Sequence, residues 1–204
     1  MSSLSAPRLT SRPLVGGFAR AFGLSATLLL ASCGAAPLAT FDLSAPSIDV
    51  KARALRGVLV IPEPAASAPA DSDRIVVRTG ASAVAVVRGA QWAERLPRIL
   101  QMRLIQTFEN AKLLKSISRP GDGVMPDRAL AWEVRRFEMD ASDALAHVEL
   151  SVRILDMSGK VVAAQIFTAE APGDAGEGSA AAQALDAASN NVLRQIVVWA
   201  SGRV

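Results

Sequence analysis

The most distinctive chemistry in this 204-residue chain belongs to the thiol of Cys33, its single cysteine. Cys33 follows an apolar run, Phe22 to Ala31, and then Ser32. Ahead of that run stand Arg8, Arg12 and Arg20 and no acidic residue. A basic lead, an apolar stretch and a small-residue cleavage site are the marks of an export signal. The run is too short to span a bilayer, which takes roughly 20 residues. Cutting after Ser32 makes Cys33 the first residue of the mature chain, with no second cysteine available for a disulfide.

Leu30-Ala31-Ser32-Cys33 resembles the lipobox of bacterial lipoproteins, an aliphatic residue and two small residues before the Cys. The resemblance implies that the thiol takes a diacylglycerol before cleavage and that the new N-terminus then takes an N-acyl chain. Apart from these covalent lipids no cofactor is expected. Gly34 stands where an Asp would imply retention at the inner membrane, so the resemblance implies an outer-membrane lipoprotein of a Gram-negative cell. The expected organisation is a signal peptide over 1–32, a lipidated N-terminus and tether over 33–54, and one domain over 55–204. The eight residues from Cys33 to Phe41 reach at most about 28 Å when extended, which keeps the domain near the membrane surface.

No catalytic group is expected elsewhere. His147 is the only histidine and lies on the outward parity of a predicted strand, with no nucleophile placed beside it. It reads as a solvated strand residue. Zinc needs clusters of His, Cys or carboxylate, and the acidic residues suggest no acid–base pair. Gly121-Asp122-Gly123 and Gly176-Glu177-Gly178 lack the strand, the glycine fingerprint and the Lys of a phosphate loop. Neither catalytic nor metal residues are assigned, and the chain is read as not an enzyme. The net charge of +3 comes from the three leader arginines, which leaves 19 basic and 19 acidic residues in the mature part. A neutral domain without a clustered basic face gives no reason to expect nucleic-acid binding. Its 172 residues suffice for one core.

The elements that position these groups follow from periodicity. Leu55 to Ile61 reads as a buried strand ended by Pro62, and Pro62 to Asp73 as a loop. Arg74–Arg78 and Ala83–Arg88 flank Thr79-Gly80-Ala81-Ser82 as a hairpin. Leu96, Ile99, Leu100, Leu104 and Phe108 share one helical face. Pro97 must then lie in the first turn, so that helix should begin near Ala93. Glu94 and Arg98 are spaced for a surface pair. Lys112 to Ile117 reads as a short strand, followed by an exposed loop to Asp127. Ala129 to Glu138 alternates until Arg135-Arg136 puts Phe137 on the other parity, which predicts a bulge. In Ala146 to Leu155, Val148, Leu150, Val152 and Ile154 face inward while His147, Glu149, Ser151 and Arg153 face out. Asp156 to Gly159 is a turn into a partner strand, Lys160 to Thr168. Glu170 to Gly178 reads as a mobile connection. The last helix, Ser179 to Ala200, has Leu185, Val192, Ile196 and Trp199 as its core stripe. The fold class expected is α+β, a single domain with a mixed, largely antiparallel sheet and two amphipathic helices packed on it.

In this order, Phe41-Asp42-Leu43, Gly57 to Pro62, Asp73 to Arg78, the junction Gln91-Trp92-Ala93-Glu94-Arg95-Leu96-Pro97 and the helix ending near Trp199 resemble one family. The chain is similar to the ABC-type transport auxiliary lipoproteins, the PqiC-like lipoproteins, over about residues 40 to 200. That resemblance implies a periplasm-facing component on the outer membrane, working beside an MCE-domain periplasmic protein and an ABC permease and ATPase that move lipids between the membranes. An alternative is a periplasmic module that carries lipid in a groove between sheet and helices. The Ala/Pro-rich loop Pro62 to Ser72 offers no apolar insertion for such work. Trp92 has two readings, a core side chain that buries a large area and an interface anchor. In the second, Arg88, Gln91 and Arg95 form the polar rim of a partner-binding site.

Overall fold

The computed structural model describes residues 38–48 and 56–203. The leader, the lipobox with Cys33, and residues 49–55 of the expected tether and strand lie outside them. Nine strands form one mixed sheet in these residues. Its longest strands form the meander of β7 (Arg128–Asp140), β8 (Leu145–Asp156) and β9 (Val161–Pro172), each antiparallel to the next. The alternation in β8 explains why it lies in the middle. Val148, Leu150, Val152 and Ile154 are at most 2% exposed, as their shared parity requires.

Three short strands divide the other edge of β7 between them, all parallel to it. β2 (Leu59–Val60) pairs at Arg128, β3 (Ala65–Ala66) at Glu133, and β4 (Arg74–Arg78) at Met139. β4 turns into β5 (Val84–Trp92) as the predicted hairpin, and β1 (Ala39–Phe41) lies parallel to β5. β6 (Ile117–Ser118) lies parallel to β2. The shift of register between Val134 and Arg136 is the bulge that the double arginine predicted.

Both helices lie on one face of the sheet. α1 (Leu96–Asn110) places Pro97 in its first turn and buries Leu96, Ile99, Leu100, Leu104 and Phe108. α2 (Gly178–Ala200) crosses β5, β7, β8 and β9 and packs against α1. A Cβ on Gly178 would lie 2.6 Å from the Ala90 Cβ, so only glycine lets α2 begin this close to β5.

Four local expectations change. Residues 38–48, read as tether, join the fold: β1 edges the sheet, and Leu43 is only 2% exposed. A strap of polar contacts then fastens this segment across both helices. Asp42 pairs with Arg103 of α1, and Asn110 Nδ2 donates to the Pro46 carbonyl at 3.1 Å. The loop after Pro62 contains β3, because β7 still has unpaired backbone between β2 and β4. The strand read over Lys112 to Ile117 is one turn of 3-10 helix, Leu114–Ser116, before β6. Positive φ at Lys112 marks the tight exit from α1. Finally, β9 runs on to Pro172, which leaves little of the connection read from Glu170 to Gly178.

Candidate functional site

Trp92 is 1% exposed, and its ring meets Phe137 edge-on at 6.1 Å and 75°. Its amide donates to the Asp73 carbonyl at 2.7 Å. The core reading is therefore the correct one, and the ring presents no surface anchor. The reason is β1, which pairs with Gln91 and Trp92 and makes β5 an interior strand at that point. The residues expected to form the rim have separate surroundings. Arg88 is exposed and Gln91 half-buried, its Nε2 3.4 Å from the Thr40 hydroxyl. Arg95 pairs with Asp71, and with Glu63 at 3.5 Å, tying the loop before β4 to the start of α1. The hydrogen bond that Arg95 donates to Asp71 raises the Arg95 pKa above its ordinary value. Arg95 thus clasps a loop in this structure.

His147 departs from its expected setting. It lies on the outward parity of β8, yet it is 8% exposed. Its Nε2 is 2.9 Å from Asp143 Oδ2 and its Nδ1 3.1 Å from Glu170 Oε1. The β7–β8 turn carries Asp143 over the ring, helped by positive φ at Ala144. Its cross-strand neighbours are Glu138 on β7 and Glu170 on β9. Period-two alternation correctly gave the direction of His147 but said nothing of what covers the face.

Beside it lies an ion-pair network. Glu138 Oε1 accepts from Arg78 Nε and from Arg136 Nε, each at 2.7 Å, and Oε2 accepts from Arg78 Nη2 at 3.1 Å. Arg136 Nη2 donates to Asp140 Oδ2 at 2.7 Å. Asp140 Oδ1 accepts from the Ser142 hydroxyl at 2.6 Å and its amide at 3.0 Å. The hydroxyl bond is the main cause of an Asp140 pKa below the usual carboxylate value. The bonds that Arg78 donates to Glu138 likewise raise the Arg78 pKa. Asp140, Asp143 and His147 place one donor atom each within 4.8 Å of one another, a spacing that cation ligands share. Here both Asp140 oxygens are already held, one of them by a guanidinium. A cation would face Arg136 directly, and we assign no metal to the cluster. The Ser142 hydroxyl donates to Asp140, so it is not activated by the His147 ring as a nucleophile needs.

A different surface gathers apolar side chains. Where α2 crosses β9, a groove of about 600 Å³ opens between Phe167 on the strand and Arg194, Val198 and Trp199 on the helix. Phe167 and Trp199 meet edge-on at 5.5 Å. Sequence reading gave Trp199 to the core stripe, where it is 8% exposed. It missed Val198, which is 47% exposed one residue away. The available signal was an apolar residue off the stripe of an amphipathic helix.

The fold has known counterparts. The model of the ABC-type transport auxiliary lipoprotein component family matches residues 41–197. The chain belongs to that family. It is 33% identical over 182 residues to the uncharacterized protein bll6063 of Bradyrhizobium diazoefficiens, covering 87% of this chain and 49% of that protein. It thus spans about half the length of that relative. The crystal structure of protein XCC0632 from Xanthomonas campestris superposes with a TM-score of 0.72 at 27% identity, covering 82% of this chain and 97% of the other. A second crystal structure, of an uncharacterized protein, shares the fold at a TM-score of 0.62 and 14% identity, over 79% and 97% of the two chains. Among the described residues, no helix is long and apolar enough to cross a membrane.

Proposed function

We propose that the protein is a non-enzymatic docking component of an MCE-type ABC system that moves lipids between the inner and outer membranes. In this reading Cys33 carries the acyl chains and holds the domain on the periplasmic face of the outer membrane. The folded surface then binds the periplasmic MCE protein, which connects to the permease and ATPase. The family match over residues 41–197 carries the reading. The chain itself adds a physical reason. Only five residues separate Cys33 from Ala39, where β1 begins, and the six Cα–Cα steps reach at most about 21 Å. An anchor at Cys33 therefore confines the domain to the membrane's vicinity. A single acyl chain binds membranes marginally and several hold stably, so a fully acylated Cys33 fixes that position.

The test combines membrane fractionation with affinity capture of the MCE protein, for wild type and Cys33→Ala. The expected outcome is that wild type co-sediments with the outer membrane and retains the MCE protein, whereas Cys33→Ala moves to the soluble periplasm. A Cys33→Ala chain that stays with the outer membrane overturns the anchoring role. Failure of the wild type to retain the MCE protein overturns the docking role.

A further inference from the structure

α2 buries Leu185, Val192 and Ile196 completely against the sheet. Further along, the helix lies over β9, and among the described residues β9 pairs with β8 alone. The sheet ends there, so the helix-facing positions Gln165 and Phe167 have no further strand beside them. The result is the groove of about 600 Å³, within the span of about 300–1,000 Å³ typical of small-molecule sites. Ile48 of the N-terminal strap closes one side, and Phe167, Val198 and Trp199 supply the apolar surface.

Two features select the occupant. Ile48, Phe167, Val198 and Trp199 form an apolar strip that suits a flexible hydrocarbon chain, while Ser47, Gln165 and Gln195 add hydrogen-bonding groups to the lining. Arg194 also lines the groove and forms no ion pair with any described residue. A guanidinium that has no carboxylate partner among the described residues and lines a partly apolar trough complements an anionic headgroup. We propose that this groove binds an anionic single-chain amphiphile, with the acyl chain along Phe167 and Val198 and the headgroup at Arg194. The site goes beyond the docking role, and purified protein without any transport partner suffices to test it.

The experiment uses the full-length chain carrying Cys33→Ala, titrated with dansyl undecanoic acid and with lysophosphatidylglycerol. Trp199 lines the groove, so its emission reports occupancy beside the probe's own. Saturable binding is expected for both amphiphiles. Val198→Glu puts a carboxylate against the chain and should weaken both by about tenfold or more. Arg194→Gln removes a charge-assisted hydrogen bond and should also weaken both by about tenfold. Val86→Glu, on β5, should leave binding unchanged. Circular dichroism checks folding, and Arg194→Gln decides alone should Val198→Glu misfold. Absence of saturable binding, or equal affinity in wild type and Arg194→Gln, overturns the proposal. Competition by inorganic phosphate as strong as by the amphiphile would reduce the groove to a simple anion site. If Val198→Glu instead turns a dimer into a monomer on size exclusion, the groove is an interface between copies and the proposal fails.

Discussion

Ser44 and Asp186 lie 142 residues apart and are joined by three hydrogen bonds, from the Ser44 amide at 2.6 Å and from its hydroxyl at 3.0 and 2.7 Å. Asn190 Nδ2 reaches the same hydroxyl at 2.7 Å. The first segment of the folded domain is thus clasped to the middle of its last helix. Hydrogen bonds to a charged group contribute more than neutral ones, but this clasp is exposed and water competes for it. Asp186→Ala is expected to cost about 1–2 kcal/mol in urea unfolding. It should also raise amide exchange across residues 42–48, while exchange in β8 stays unchanged. Faster exchange in both regions alike would mean that the strap has no stability of its own.

Under the proposed anchoring at Cys33, the clasp would also govern how far the domain can travel. If the strap opens, the free chain lengthens from five residues toward the second half of the expected tether. In a strain that depends on docking, Asp186→Ala should therefore still fractionate with the membrane. Its retention of the MCE protein should weaken in proportion to the loosened strap, measured by capture across a salt-matched series.

Glu138 is 7% exposed at its side chain and holds two arginines, each 30% exposed. Removing the shared carboxylate leaves both guanidinium groups on a largely covered face. Removing one arginine leaves Glu138 still paired to the other. Glu138→Ala is accordingly expected to lose about 2–4 kcal/mol, at or below the range for breaking a buried pair because the arginines retain some water. Arg78→Ala should cost less than half as much. Equal losses from the two variants would show that Glu138 does not act as the shared centre.

How much of this was readable from sequence depended on whether local periodicity or distant partners decided the outcome. Period two in β8 and the helical stripes of α1 and α2 reflect faces buried against the sheet, so their patterns identified elements and core together. The bulge at Arg135 was legible because two adjacent arginines interrupt an otherwise strict alternation. β2 and β3 have two residues each and exist because β7 offers unpaired backbone to them, which no local pattern encodes. Trp92 was ambiguous for the same reason: whether a junction residue is interior depended on β1, 51 residues earlier in the register Phe41↔Trp92. The groove beside Val198 arises where the sheet stops, and a strand's position in a sheet is not written in its own residues.

Trp92 now carries a stability prediction in place of an interface one. Its buried ring packs on Phe137, so Trp92→Ala should cost about 3–5 kcal/mol. Trp92→Phe keeps part of the aromatic contact and should cost clearly less. Capture of the MCE protein, normalised to the folded fraction from circular dichroism, should be equal for wild type and Trp92→Phe. A lower normalised capture would restore the ring to the partner-binding surface.

Acid sensitivity should trace to two turns. Asp156 Oδ1 accepts from the Ser158 hydroxyl at 2.6 Å and from the Ser158 and Lys160 amides at 3.0 Å. The hydroxyl bond, followed by the Lys160 amide, holds its pKa below the ordinary 3.8. Asp140 is lowered in the same sense, chiefly by Ser142. All these donors favour the charged carboxylate, which only the folded chain offers them. The unfolded chain therefore takes up protons first as pH falls. The contribution is complete above about pH 4 and disappears as pH drops through the folded-state values. Asp156→Asn cannot be protonated in that range. Its urea midpoint should lie below the wild-type one at about pH 7, and the gap should narrow on acidification to about pH 3. Asp140→Asn should behave alike. A gap that stays constant with pH would assign the loss to turn geometry and leave the charge without a role.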